Sequence, residues 1–115
     1  MKAGEIVLVN LVLPREKFWG VLHETSPAGV TVRGLALDSL ESWMRELARE
    51  GEASFFPATV FFPLHRVERV FADESSGEME SYADRFRAIV GKDVRDYLSW
   101  PPPARADANP KKSRS

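Results

Sequence analysis

The chain contains two histidines, and each of them has carboxylate residues close by in the sequence. His23 is followed directly by Glu24, and His65 lies three residues before Glu68. Imidazole and carboxylate groups bind zinc and other transition metals, and Asp38 offers a further carboxylate. No pair among them has the spacing of a metal motif such as H-E-x-x-H, and isolated histidines more often face solvent or stabilise turns. We therefore predict no metal site and no cofactor.

Nucleophilic and nucleotide chemistry also lack their sequence signatures. The chain has no cysteine, which excludes a cysteine nucleophile, a disulfide and a thiolate zinc site within this sequence. It contains no G-x-S-x-G elbow, no phosphate-binding loop and no dinucleotide fingerprint, since GVTVRG at 29–34 has the pattern of a strand. We predict a non-enzymatic protein with no catalytic residues.

Length and charge place the chain among small globular domains. It has 115 residues, 43% of them hydrophobic, which is typical of one domain with its own core. The tail at 101–115 is rich in proline and carries four basic residues against one acidic residue. Its balance of +3 leaves −4 on residues 1–100, since the total is −1. We predict a domain at 1–100, a disordered basic tail at 101–115 and no preference for phosphate surfaces.

The N-terminal apolar run does not have the features of a targeting or membrane segment. It extends only from Ile6 to Leu13, is interrupted by Asn10 and lacks a small-residue cleavage site after it. A bilayer-spanning helix needs about 20 apolar residues. We therefore expect a soluble cytoplasmic protein that does not associate with membranes.

The first third of the domain has the pattern of a three-stranded meander. Strands are predicted at 5–13, 18–23 and 30–37, separated by turns rich in proline and glycine. Gly20 marks a place where either another backbone approaches closely or the strand bends sharply. The apolar residues of the third strand change parity after Gly34, which predicts a bulge there.

Helical spacing appears twice. A helix is predicted at 39–50, capped by Asp38 and ended by Gly51, with one apolar stripe formed by Leu40, Trp43, Met44 and Leu47. The second helical region is predicted at 81–98. Ser81 caps its first helix, Gly91 ends that helix, and Asp93 caps one further turn. The apolar stripe of the first helix is Tyr82, Phe86, Ile89 and Val90.

Between these regions lies FFPATVFFPLHRVERVF, in which Phe-Phe-Pro occurs twice. Proline cannot donate a backbone hydrogen bond, so Pro57 and Pro63 bracket one short strand at 58–62 and do not form a repeat. A tight turn or single 3₁₀ turn at 63–66 must follow, because 67–72 has the pattern of a last strand. Strict alternation in that strand would place Val67, Arg69 and Phe71 on one face.

Five strands, a helix before strand four and C-terminal helices predict an α+β fold built on a small SH3-like barrel. VLVNLVLPREKFWGVL and VTVRGLALD resemble the first Sm motif, and TVFFPLHRVERV resembles the second, in the style of the bacterial Hfq type. KFWG, GVTVRG and FFPLHRVER also resemble stretches of a family of uncharacterised bacterial proteins. The Sm resemblance implies a homo-oligomer in which strand four of one subunit pairs with strand five of the next. It also implies RNA contacts at His65 and Arg66, and in an RNA binder of this kind Lys17 or Arg33 would add contacts from an adjoining face.

RNA binding is the alternative and not the favoured function. Sm-like RNA binders have an Asp- or Asn-containing loop after the second strand and a basic surface, whereas this chain has Ser-Pro-Ala-Gly at 26–29 and an acidic body. We favour a self-associating interaction or adaptor module with an unknown protein partner. A second alternative is a ligand-binding domain or enzyme with a pocket between the barrel and the helix at 39–50.

The large aromatic residues are the candidate interaction surface. Most of them are expected to fill the core and seat the helices. Phe61 and Phe62 are adjacent in a strand and must point to opposite faces. If one of them lies in the core, the other must be covered by a helix or by another chain. The same reasoning applies to Trp19 beside Phe18. The predicted surface is therefore Trp19, Phe61 and Phe62.

Overall fold

Five antiparallel strands and three helices make up the part of the chain that the computed structural model describes, residues 1–98. The strands are β1 (Ile6–Leu11), β2 (Glu16–Ser26), β3 (Gly29–Ala36), β4 (Ala58–Pro63) and β5 (Val67–Ala72). The helices are α1 (Leu37–Glu50), α2 (Tyr82–Val90) and α3 (Arg95–Leu98), and a 3₁₀ turn at Leu64–Arg66 joins β4 to β5. The fold is α+β, and the predicted order of strands and helices is confirmed. The predicted tail at 101–115 lies outside the described residues.

The sheet has the order β4-β3-β2-β1-β5, so β4 and β5 form its two edges. In a flat sheet these edges would be about 19 Å apart, four spacings of about 4.8 Å. The 3₁₀ turn that joins them has only three residues and covers about 6 Å. The two edges therefore meet at this end, and the sheet must curl. Among the described strands no ladder pairs β4 with β5, so the sheet is curled but not closed into the predicted barrel.

Helices cover one face of the sheet. Leu8, Trp19 and Leu35 project from β1, β2 and β3 into a core shared with the helices. The α1 stripe predicted from sequence is buried in this core, as Leu40, Trp43, Met44 and Leu47. The Phe86 ring of α2 lies 5.3 Å from the Trp43 ring, between centroids. We refer to this as the helix-side face.

The opposite face of the sheet carries a second hydrophobic core, which the curled strands enclose. Four strands supply its buried residues, which are Val7, Val9, Leu11, Phe18, Leu22, Val30, Val32 and Phe62. The half-buried Val60 of β4 packs against them. The Phe18 and Phe62 rings meet edge to face with centroids 5.1 Å apart. Because these residues are buried and no helix within residues 1–98 packs on them, the curl of the sheet itself covers this inner face.

Two glycines face each other where β2 meets β3. Gly20 and Gly34 are direct partners in the ladder, and a Cβ added at Gly34 would lie 1.9 Å from the Trp19 carbonyl oxygen. Of the two alternatives for Gly20, the structure shows the close approach. The bulge predicted at Gly34 is wrong. β3 is buried on both faces, so its change of apolar parity needs no bulge. The register between β2 and β3 shifts instead between Leu22 and Glu24.

The helix ends follow local capping chemistry, with one exception. Ser81 Oγ accepts from the Asp84 N–H at the start of α2, and Gly51 and Gly91 end α1 and α2 with positive φ, as predicted. The Asp38 cap is wrong. α1 begins two residues earlier than predicted, after Ala36 and without a side-chain cap, so that Asp38 lies inside its first turn.

An ion pair joins the two longer helices. The Arg85 guanidinium donates two hydrogen bonds of 3.0 and 2.7 Å to the Glu41 carboxylate, linking α2 to α1. These bonds hold the pKa of Glu41 below its ordinary value, and the same contact raises the pKa of Arg85. No helix within residues 1–98 combines the length and apolar character needed to cross a membrane.

Candidate interaction surface

Each edge strand has a backbone edge that no other described strand covers. Among the strands of residues 1–98, β4 pairs only with β3 and β5 only with β1, which leaves the outer side of each six-residue edge strand without a partner strand there. Unpaired strand edges are templates for pairing with another chain, and soluble proteins usually blunt them with charge or proline. β4 has no charged residue between its first residue, Ala58, and the single proline at its end, Pro63.

An exposed phenylalanine stands beside each of these edges. Phe61 of β4 is 50% exposed and Phe71 of β5 is 41% exposed. Phe71 pairs with Leu8, whose side chain belongs to the helix-side core, whereas its neighbour Val70 packs in the inner core. Phe62 likewise packs in the inner core, so Phe61 points to the helix side. Both exposed rings therefore project from the same face of the sheet, one at each edge.

Of the three residues predicted for the interaction surface, Phe61 alone is exposed. Phe62 packs in the inner core, and the indole of Trp19 is fully buried. Trp19 is a core residue because Leu8 and Leu35 lie beside it on the neighbouring strands, and its Nε1–H donates to Asp73 Oδ2 at 3.1 Å. Trp19 and Phe62 are thus removed from the candidate surface.

Phe71 was not identified from the sequence, because strict alternation would put it on the same face as Val67. The β1–β5 register shifts between Asn10 and Leu11, which pair with Arg69 and Val67 and leave Glu68 as an extra residue. Val67 and Val70 can then both face the inner core, and Phe71 turns to the helix side. Leu64, 55% exposed in the 3₁₀ turn, extends the apolar surface between the two edges.

Of the four residues predicted for RNA contact, two are exposed and two donate hydrogen bonds within the fold. Lys17 and His65 are exposed, but Arg33 is buried in β3, where its Nη1 donates to Thr59 Oγ1 at 3.2 Å. Arg66 donates to the carbonyl oxygens of Val12 and Pro14 and to the Glu16 carboxylate, at distances of 2.9, 2.8 and 3.1 Å. The Arg66 side chain therefore fastens the 3₁₀ turn to the β1–β2 turn.

We expect Arg66→Met to lower the free energy of unfolding by about 2 kcal/mol, because it removes three charge-assisted hydrogen bonds around a tight turn while keeping the apolar stem. Urea unfolding followed by circular dichroism measures this. Arg69→Met is the matched control, since Arg69 is an exposed residue of the adjacent strand and its substitution should cost less than about 0.5 kcal/mol. Equal stability of the two variants would show that Arg66 does not anchor the turn.

The histidines lie apart from any group of ligands. His23 is exposed at the irregularity of β2, and His65 lies in the 3₁₀ turn. Within residues 1–98 no three histidine or carboxylate side chains are arranged to hold a metal ion. The interface between α1 and the sheet, where a pocket was the second alternative, is packed by Trp43, Met44 and the rest of the α1 stripe.

The chain matches no protein-family model, no curated protein and no solved structure.

Proposed function

We propose that this protein is a non-enzymatic interaction module that assembles with copies of itself through the two edges of its curled sheet. The observation that carries the proposal is the pair of unpaired six-residue edges, each with a half-exposed phenylalanine on the helix-side face. An uncovered edge is a liability for a soluble protein, and pairing with another subunit removes it.

One edge can serve as the partner of the other. If β4 of one copy lies against β5 of the next, the two sheets become continuous, and every subunit keeps one edge of each kind for its neighbours. Phe61 of one copy then reaches Phe71 of the next on a shared face, because both rings project to the helix side. Aromatic pairs across adjacent strands contribute up to about 1 kcal/mol each beyond the backbone bonds. Such a head-to-tail contact closes into a ring when its rotation divides a full turn.

We infer that the curled sheet of this module is an open form of the SH3-like, Sm-like small barrel. Its support is the curl of the sheet, the buried inner face and the three-residue 3₁₀ turn that brings β4 next to β5. Two hydrogen bonds hold this turn, from the Leu64 N–H to the Ala28 carbonyl and from the Val12 N–H to the Arg66 carbonyl, both at 2.8 Å. A subunit added at each edge would continue the barrel sheet without a gap.

We favour self-association over RNA binding because two of the four side chains that would contact RNA already donate hydrogen bonds within the fold. Arg33 is buried and Arg66 anchors a turn, so Lys17 and His65 are the members of that set with exposed side chains. Phosphate binding depends on clustered exposed cations. An adaptor role, in which a different protein docks on the same edges, is the extension of the proposal.

We expect Phe61→Lys and Phe71→Lys each to convert the assembled protein to smaller species at the same concentration. Either change removes an apolar contact and places a charge beside the edge, which is how natural proteins block edge pairing. Sedimentation velocity measures the species, and circular dichroism checks that the fold is retained.

Met79→Lys is the matched control for these two variants. Met79 is 75% exposed and lies outside β4 and β5, so its replacement adds the same charge without touching either edge. The Met79 variant should sediment as the wild type does. If the Phe61 and Phe71 variants also sediment as the wild type does, the edges are not the interface.

A further inference from the structure

A groove whose lining includes no residue of either edge strand contains three basic side chains. It lies between β2, the N-terminal segment and α3, has a volume of about 440 Å³, and is lined by Ala3, Gly4, Val21, Leu22, His23, Arg33, Arg95 and Leu98. A volume of this size lies within the range of small-molecule sites, about 300–1,000 Å³. None of these eight lining residues is acidic, although the chain as a whole has 17 acidic residues against 16 basic ones.

The backbone brings the three basic residues to this place. Arg33 is the direct ladder partner of Val21, and His23 follows Val21 by two residues at the irregularity of β2. Arg95 comes from α3, and its guanidinium donates to the Gly4 carbonyl oxygen. Gly4 in turn donates to the Leu22 carbonyl at 2.7 Å, which holds the N-terminal segment and Arg95 next to β2.

The groove combines this charge with an apolar lining. Ala3, Val21 and Leu98 supply aliphatic surface, and Leu98 is buried at the end of α3. Arg33 is 9% exposed, and burial lowers the pKa of its guanidinium because water is kept from the charge. A cation with little water around it binds an anion more strongly than an exposed one does, since screening is weaker.

We propose that this groove binds an organic anion with an apolar body, of which a medium-length aliphatic carboxylate is the simplest member. The carboxylate lies between the guanidinium groups of Arg33 and Arg95, with the imidazole of His23 beside it. Two guanidinium groups suit a carboxylate because each presents several donors in a planar fork. The aliphatic chain lies along Val21 and Leu98, where it gains from removal of apolar surface from water. This site does not depend on the assembly proposed above.

The test uses the full chain, with sodium octanoate as the probe and 1-octanol as a neutral probe of the same chain length. Octanoate should bind in isothermal titration calorimetry and shift the backbone amide signals of His23, Arg33 and Arg95 in ¹⁵N NMR spectra. Octanol should bind at least tenfold more weakly, because it lacks the charge that the guanidinium groups recognise.

Single substitutions test the assignment of the cations. Arg95→Gln and Arg33→Gln should each weaken octanoate binding by about tenfold or more, the usual effect of losing one charge-assisted hydrogen bond. Because Arg33 is buried and its variant can lose stability, the more exposed Arg95 provides an independent test. Lys92→Gln is the control, since it removes the same charge from an exposed residue that does not line the groove.

Four results would overturn the proposal. The first is no octanoate binding at millimolar concentration in the folded wild-type chain. The second is equal binding of octanoate and octanol, which would show a contact without charge recognition. The third is signal changes that map to other residues, and the fourth is an Arg95→Gln variant that binds octanoate as the Lys92→Gln control does.

Discussion

Replacing Gly34 by alanine should lower the free energy of unfolding by about 3 kcal/mol or more, because the added methyl group has no space. Its Cβ would lie 1.9 Å from the Trp19 carbonyl oxygen and 2.6 Å from the Gly20 Cα. Both obstacles are backbone atoms, so relief requires β2 and β3 to move apart in the middle of the sheet. Equilibrium urea unfolding, monitored by circular dichroism, gives the difference.

Gly51→Ala separates this crowding from the general cost of replacing a glycine. Gly51 has a φ of +79° at the end of α1, and a Cβ there would meet nothing within 4 Å. Its replacement should cost about 1–2 kcal/mol, which is the price of a left-handed backbone for an alanine. If Gly34→Ala is no more destabilising than Gly51→Ala, the close approach of β2 and β3 does not have the importance we assign to it.

Asp73→Ala should lower the free energy of unfolding by about 3 kcal/mol, because one carboxylate satisfies three donors. Its Oδ2 accepts from the buried Trp19 indole at 3.1 Å and from the Ala83 N–H at 2.9 Å, while its Oδ1 accepts from the Tyr82 N–H at 2.8 Å. An unsatisfied buried donor costs about 1–3 kcal/mol, and loss of a helix cap costs about 1 kcal/mol. Urea unfolding measures the total loss of free energy of unfolding from these contributions.

A double-mutant cycle with Trp19→Phe measures how much of that loss comes from the hydrogen bond between the Trp19 indole and Asp73. Once the indole N–H is gone, the further cost of Asp73→Ala should fall by about 1 kcal/mol or more. Ser81→Ala is the control for the helix end, since Ser81 caps the same helix through the Asp84 N–H alone and should cost about 1 kcal/mol. Additive effects of the Trp19 and Asp73 substitutions would contradict the role of Asp73 as the link between the sheet and α2.

Short-range chemistry explains what the sequence predicted well. The α1 stripe follows helical spacing, and Gly51 ends the helix that carries it, so both are visible without tertiary information. The Ser81 cap and the two prolines around β4 are equally local. Gly20 stood out because glycine in a strand marks a close approach, although the partner glycine on β3 could be identified only from the register.

Long-range pairing explains what the sequence did not reveal. Trp19 resembled a surface aromatic until the neighbouring strands placed it in the core beside Asp73, which is 54 residues away. Arg66 resembled an RNA contact, but its acceptors lie about 50 residues earlier in the chain. The side of the sheet to which Phe71 points depends on the register shift between β1 and β5, which the sequence does not show. In each case the decisive partner is distant in sequence, so spacing alone could not identify it.

The molecular mass of the wild-type particle in solution tests the central proposal most directly. Sedimentation equilibrium over a wide concentration range should show a defined multiple of the 13.0 kDa chain, held together by the β4 and β5 edges. A mass that stays at one chain at the highest concentration would contradict self-association, whatever the edge variants do.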